Sequence, residues 1–180
     1  YFENIKDQKL NILEIGVADG GSLLMWSDYF KNSTIIGLDI HKINLKEKKL
    51  DRENIKVHQG SQSDKQFIDK IINIYGKFDI IIDDGSHIRK DVIKSFHLLF
   101  PHLNNEGLYI VEDMQTSYNH FFGGNPFDLK YSNSHMNFFK HLTDSLNYQE
   151  VANPFYINKK YDGSITNISF YHNMVFVRKG

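Results

Sequence analysis

Large apolar residues recur along this chain in two alternating rhythms, short continuous runs and longer stretches with helical spacing, and that alternation predicts the order of its elements. Leu10-Asn11-Ile12-Leu13-Glu14-Ile15-Gly16-Val17 is a strand-like run closed by glycine, and residues 22–30 then space Leu23, Leu24, Trp26 and Phe30 as a helix does. Further strands are predicted at residues 35–40, 55–58, 78–82 and 108–111. Between them, Ser63-Asp64-Lys65-Gln66 has capping-box spacing ahead of Phe67, Ile68, Ile71, Ile72 and Tyr75, so a helix should start at Ser63. Residues 89–103 carry a helical stripe of Val92, Phe96, Leu99 and Leu103, with Pro101 disturbing its last turn. Residues 42–54 read as a charged, poorly periodic connection. In the last third, residues 136–146 look helical, and two runs at 165–171 and 174–178, split by His172-Asn173, form a terminal hairpin.

Strands alternating with helices call for right-handed crossovers and a parallel sheet covered on both faces. The expectation is therefore an α/β fold, a doubly wound, mostly parallel, seven-stranded sheet ending in an antiparallel hairpin. With 180 residues and 14% aromatics the chain has material for one sizeable core, taken as a single domain over residues 1–180. It opens on Tyr1 rather than methionine, which fits a piece excised from a longer polypeptide.

Composition narrows the partners. Lysine and arginine total 21 against 22 acids, so no global basic field recruits nucleic acid or an anionic membrane. No apolar run approaches the ~20 residues that span a bilayer, and no charged-then-apolar leader opens the sequence. With no cysteine there are no disulfides or thiolate metal sites. A soluble, cytoplasmic protein with a small partner is expected, and homo-oligomerisation is left open.

The chemistry concentrates where strands end. Ile81-Ile82-Asp83-Asp84-Gly85-Ser86-His87 closes one apolar run on two carboxylates with an imidazole three residues beyond the second, and Leu108-Tyr109-Ile110-Val111 closes another on Glu112-Asp113. Parallel sheets bind ligands at this carboxyl edge, and a cluster of hard oxygens there suits a divalent metal. Asp84, Glu112 and Asp113 offer only oxygen, which favours Mg²⁺, with Mn²⁺ the alternative. An imidazole is a suitable general base, and His87 can take a proton in that role. Adjacent strand residues face opposite ways, so Asp84 is the expected ligand and Asp83 turns aside, to the cofactor side or to cap the next helix. The Glu112-Asp113 pair meets the same difficulty unless the strand end twists.

Glycines Gly16, Gly20 and Gly21 let backbone approach a ligand at the first strand-to-helix turn, but the dinucleotide pattern is missing because Ala18 takes its second glycine position. Asp39 follows some twenty residues later, where a carboxylate can accept both hydroxyls of a ribose. The two features together favour an adenosine-containing cofactor.

Taken in order, Glu14-Ile15-Gly16 with Gly20 and Ser22, Asp39, Gly60-Ser61-Gln62-Ser63-Asp64, Asp84 with His87, and Glu112-Asp113 resemble the metal-dependent class I S-adenosylmethionine O-methyltransferases, which have a Rossmann-like fold. Ile-Asp-Asp-Gly-Ser-His and Ile-Val-Glu-Asp-Met-Gln-Thr-Ser-Tyr are most similar to the macrolide-sugar O-methyltransferases of mycinose biosynthesis; the catechol O-methyltransferases are more distant. The resemblance implies that Gly16 and Ser22 line the methionine end of S-adenosylmethionine, that Asp39 holds its ribose, and that Gln62 and Ser63 lie beside its adenine. It also implies that Glu112 and Asp113 both join Asp84 on the metal, and that His87 holds the base position occupied by lysine in the catechol enzymes. Residues 115–125, rich in aromatics, amides and hydroxyls, are placed to cover a sugar or glycosylated small-molecule acceptor, or else form an ordered loop packing on itself. A catechol-like acceptor and a non-catalytic nucleotide-binding module are the competing readings.

Overall fold

The computed structural model describes residues 1–45 and 48–180. Seven strands run β1 (Asn11–Ile15), β2 (Thr34–Asp39), β3 (Ile55–Gln59), β4 (Phe78–Asp83), β5 (Leu103–Val111), β6 (Ile165–Tyr171) and β7 (Met174–Lys179). They form one sheet in the order β3-β2-β1-β4-β5-β7-β6. The first five are parallel, and β7 runs antiparallel to both β5 and β6. This is the expected doubly wound sheet with its terminal hairpin.

Helices α1 (Gly21–Tyr29), α2 (Lys65–Tyr75), α3 (Arg89–Leu99) and α4 (His135–Leu146) cover it. Strand residues alternate between two buried layers, as period-two side chains must. Leu13, Ile36, Ile81, Tyr109 and Val177 pack with α2, α3 and α4, while Ile12, Ile35, Ile80, Leu108 and Ile110 pack with Leu23 and Phe30 on the other side. Phe96 of α3, fully buried, has Phe100, Tyr109, Phe139 and Tyr161 around it with ring centroids 4.7–5.3 Å away. Such pairs add about 0.5–1.5 kcal/mol each beyond area burial.

Two expected boundaries move for local reasons. Asp64, not Ser63, caps α2, accepting from Gln66 N at 2.9 Å and Phe67 N at 3.4 Å. The third helix stops at Leu99 instead of residue 103, because Pro101 falls in a separate 3₁₀ turn, Phe100–His102, and Leu103 already begins β5. Residues 46 and 47 of the charged connection lie outside the described residues. Among the described residues no helix is long and apolar enough to cross a membrane.

Candidate active site

The carboxyl ends of β1 to β5 open on one cleft of about 600 Å³, bounded by Gly16, Asp39, Gly60, Gln62, Asp84, His87 and Asp113 among others. Side chains from separate sequence motifs thus share one wall because parallel strands all finish at the same edge.

Gly16 sets how close the first turn comes to the fourth strand. Its φ is +93°, and a Cβ there would lie 2.1 Å from the Asp84 carbonyl oxygen. Only glycine permits that approach. Beside it, Asp39 Oδ2 accepts from Val17 N at 2.9 Å and Ala18 N at 3.2 Å, and Oδ1 accepts from His41 N at 2.7 Å. Burial works against the charge on Asp39, but these backbone bonds prevail and hold its carboxyl below the usual range. The acid is rigid, charged and at the cleft wall.

At the β4 and β5 ends, His87 Nε2 lies 3.6 Å from Asp113 Oδ2 and 3.9 Å from Asp84 Oδ1. One ligand atom from each of these three residues lies within 4.8 Å of the others. Asp113 and His87 both take left-handed backbone conformations, φ +52° and +55°. At Asp113 that conformation breaks the strand alternation, which is the twist the adjacent acids required. Burial, and after it the Asp113 charge, raises the Asp84 carboxyl, while His87 opposes the rise. Glu112 is half-buried and raised by burial, then by Asp84 and Asp113. Its carboxylate feels both acids yet stands outside the three-residue cluster. These are hard donors crowded against mutual repulsion, a set that fits Mg²⁺ or Mn²⁺.

Three expected residues are placed elsewhere. Asp83 is 1% exposed and does not line the cleft. It does not cap α3 and turns inward instead: Gln62 Nε2 donates to its Oδ1 at 2.9 Å, and the Ser95 hydroxyl and Tyr109 hydroxyl, the latter at 3.2 Å, donate to Oδ2. Burial pushes this carboxyl up to about 6 despite those bonds. The Ser22 hydroxyl is committed to Glu14, which also accepts from Trp26 Nε1 at 2.7 Å. Burial pushes Glu14 up to about 7 against those two bonds, with Asp84 and Glu112 adding to the rise. Ser63 lies behind Ser61, its hydroxyl 3.2 Å from that of Ser61, and Ser61 takes the cleft position.

Gln62 serves both sides. While its amide group holds Asp83, its Oε1 accepts from Ser86 N at 2.8 Å, fixing the Gly85-Ser86-His87 turn. The following loop reaches back over the acids: Gln115 Nε2 donates to Asp113 Oδ1 at 3.0 Å, and the Phe122 ring lies edge-on to His87 at 6.4 Å between centroids. Ser61, Ser86, Asp91 and His41 also line the cleft. Sequence reasoning missed them as site residues, although Ser61 and Ser86 sit inside motifs already singled out.

The methyltransferase-domain family matches residues 13–114. Mycinamicin VI 2''-O-methyltransferase of Micromonospora griseorubida is 39% identical over all of this chain and 46% of its own length. Demethylmacrocin O-methyltransferase of Streptomyces fradiae is 36% identical, again over all of this chain and 47% of its own. A solved structure of the MycE methyltransferase from the mycinamycin pathway, in complex with Mg, SAH and mycinamycin VI, superposes with a TM-score of 0.91 at 39% identity, covering 99% of this chain and 46% of that one. The chain spans about half the length of the curated relatives it matches.

Proposed function

The chain belongs to the methyltransferase-domain family, and from that premise we propose that it transfers a methyl group from S-adenosylmethionine to a hydroxyl of a sugar or glycosylated small molecule. Asp84, Glu112 and Asp113 would hold Mg²⁺, and His87 would act as base. The observation that carries this reading is the meeting of Asp84, His87 and Asp113 at the rim of the cleft that Asp39 walls.

S-adenosylmethionine supplies an electrophilic methyl on a sulfonium, so the protein's contribution is chiefly alignment. A bound Mg²⁺ supplies charge stabilisation for a hydroxyl that is losing its proton. Asp39 presents a fixed carboxylate to a ribose, and the Gly16 turn lets the donor lie against backbone. His87 Nε2, within 4 Å of two of the acids, would take the acceptor proton, with their negative charge steadying the imidazolium that results. The loop holding Gln115 and Phe122 offers amide and ring surfaces to a sugar, which has polar edges and apolar C–H faces. The rhamnosyl and olivosyl acceptors named for two relatives at 36% identity favour a sugar over a catechol. Cytoplasmic operation suits a chain that needs no disulfide.

Calorimetry with S-adenosylhomocysteine, with and without Mg²⁺, tests the two sites. A mass-spectrometric search for one added methyl across nucleotide sugars, glycosides and catechols tests the reaction. Absence of cofactor-product binding would reject the proposal, and methylation of catechols alone would reject its acceptor.

A further inference from the structure

His87 and Asp113 belong to loops after different strands, and one hydroxyl lies near the backbone of both and bonds to that of Asp113. Thr116 Oγ1 lies 2.7 Å from the Asp113 carbonyl oxygen and 3.5 Å from that of His87. Both residues hold left-handed backbone conformations that non-glycine residues keep only when their surroundings impose them. The same hydroxyl lies 3.2 Å from Nε2 of His135, the first residue of α4. That helix is docked on the turn after Asp113 by a second bond, Met136 N to Ser117 Oγ at 3.0 Å, and its start is fixed by the Ser134 cap on Asn137 N.

The hydroxyl has one proton to give, and its short bond to Asp113 O takes it. Nε2 of His135 must therefore donate. Its other nitrogen, Nδ1, is buried without a partner among the described residues, in a side chain 1% exposed. A second N–H there would be an unsatisfied buried donor, so the ring is neutral with its proton on Nε2. In the same direction, burial pushes His135 down to about 4, with His87 and Arg89 adding to the fall.

We propose that His135 and Thr116 are positioning residues: the Nε2–H of His135 orients the Thr116 hydroxyl, which holds the backbone carbonyl of Asp113 and so sets where that metal ligand stands beside the base. This rests on the function proposed above. It adds that metal affinity depends on a helix that contributes no ligand.

The test measures Mg²⁺ and S-adenosylhomocysteine affinities separately by calorimetry on the protein and its variants. Thr116→Val keeps the shape and loses the hydroxyl, while Thr116→Ser keeps the hydroxyl. His135→Leu loses the donor, while His135→Gln supplies an amide N–H. Thr116→Val and His135→Leu should weaken Mg²⁺ about tenfold or more, the effect expected of residues that orient metal ligands, and leave metal-free cofactor-product affinity within about twofold. The Ser and Gln variants should recover most of the loss. Nitrogen NMR of labelled histidine should find His135 neutral and protonated on Nε2 near pH 7. An Nδ1–H tautomer, unchanged Mg²⁺ affinity in Thr116→Val, or Mg²⁺ and cofactor-product affinities falling together would overturn the positioning role alone. No Mg²⁺ binding by the unaltered protein would overturn the functional reading and this proposal with it.

Discussion

Asp83→Asn should make the protein more stable at neutral pH than the natural sequence, by an amount that grows as pH rises. The Asp83 carboxyl sits at about 6 against an ordinary 3.8, in a side chain 1% exposed. At about 1.4 kcal/mol per unit, full ionisation costs the folded state about 3 kcal/mol. A raised pKa means that the folded chain binds the proton more tightly than the unfolded one. Stability is then whole below about pH 4, falls as pH climbs from there, and levels off above about pH 6. Asparagine removes the titration and leaves partners for Gln62, Ser95 and Tyr109. Its Oδ1 still accepts from Gln62, and its amide can donate to Ser95 Oγ, whose own proton can go to Val92 O, 3.0 Å away. The Tyr109 hydroxyl, 3.3 Å from Ser95 Oγ, then donates there. Urea unfolding followed by the single tryptophan, Trp26, measures the difference. The advantage of the variant should widen by about 1 kcal/mol between about pH 5 and pH 8, the part of the 3 kcal/mol lying in that window. An advantage that stays flat or shrinks with rising pH would refute the assignment of a buried, reluctantly ionised carboxyl.

His87→Ala should lower kcat on a confirmed acceptor about 10²–10⁴-fold while sparing metal-free cofactor-product binding, as read by initial rates and calorimetry. Because burial and mutual repulsion raise Asp84 and Glu112, Mg²⁺ should bind more weakly as pH falls through their titration, and binding should release protons, seen as a heat that varies with the ionisation enthalpy of the buffer. Gly16→Ala puts a methyl into the Asp84 carbonyl at φ +93°, so both the thermal midpoint and cofactor-product affinity should drop. Phe96→Ala, at the centre of the aromatic cluster, should cost about 3–5 kcal/mol in denaturant unfolding.

The fold was legible because strands buried on both faces read as unbroken apolar runs, as in Ile80-Ile81-Ile82, and because α2 has a clear stripe of Ile68, Ile71 and Ile72. The site was legible in part for the same reason: a strand that ends on an acid in a parallel sheet delivers that acid to the shared edge. What the residue order leaves open is where the side chain that turns aside ends up. Asp83 and Asp84 are neighbours of one type, and only the tertiary partners Ser95 and Tyr109 decide that the first turns inward. Ser22 sits where a cofactor contact was expected, but its hydroxyl satisfies the buried Glu14, a demand invisible without knowing that Glu14 is enclosed. The left-handed residue at Asp113 breaks a period-two pattern that the sequence by itself would extend. Thr116 and His135 are 19 positions apart and carry no local signal, since their partnership exists only once α4 has docked.

The contact between Gly16 and the Asp84 carbonyl has a mechanical meaning for a transfer reaction. Backbone presses on backbone there, so under the proposed reaction the seat of the donor and that of the activated oxygen would move as one piece, with the distance the travelling carbon crosses set before any acceptor arrives. Under the proposed reaction, differences in acceptor size would fall to the part of the loop beyond Ser117, since Gln115 and Thr116 are bonded to Asp113.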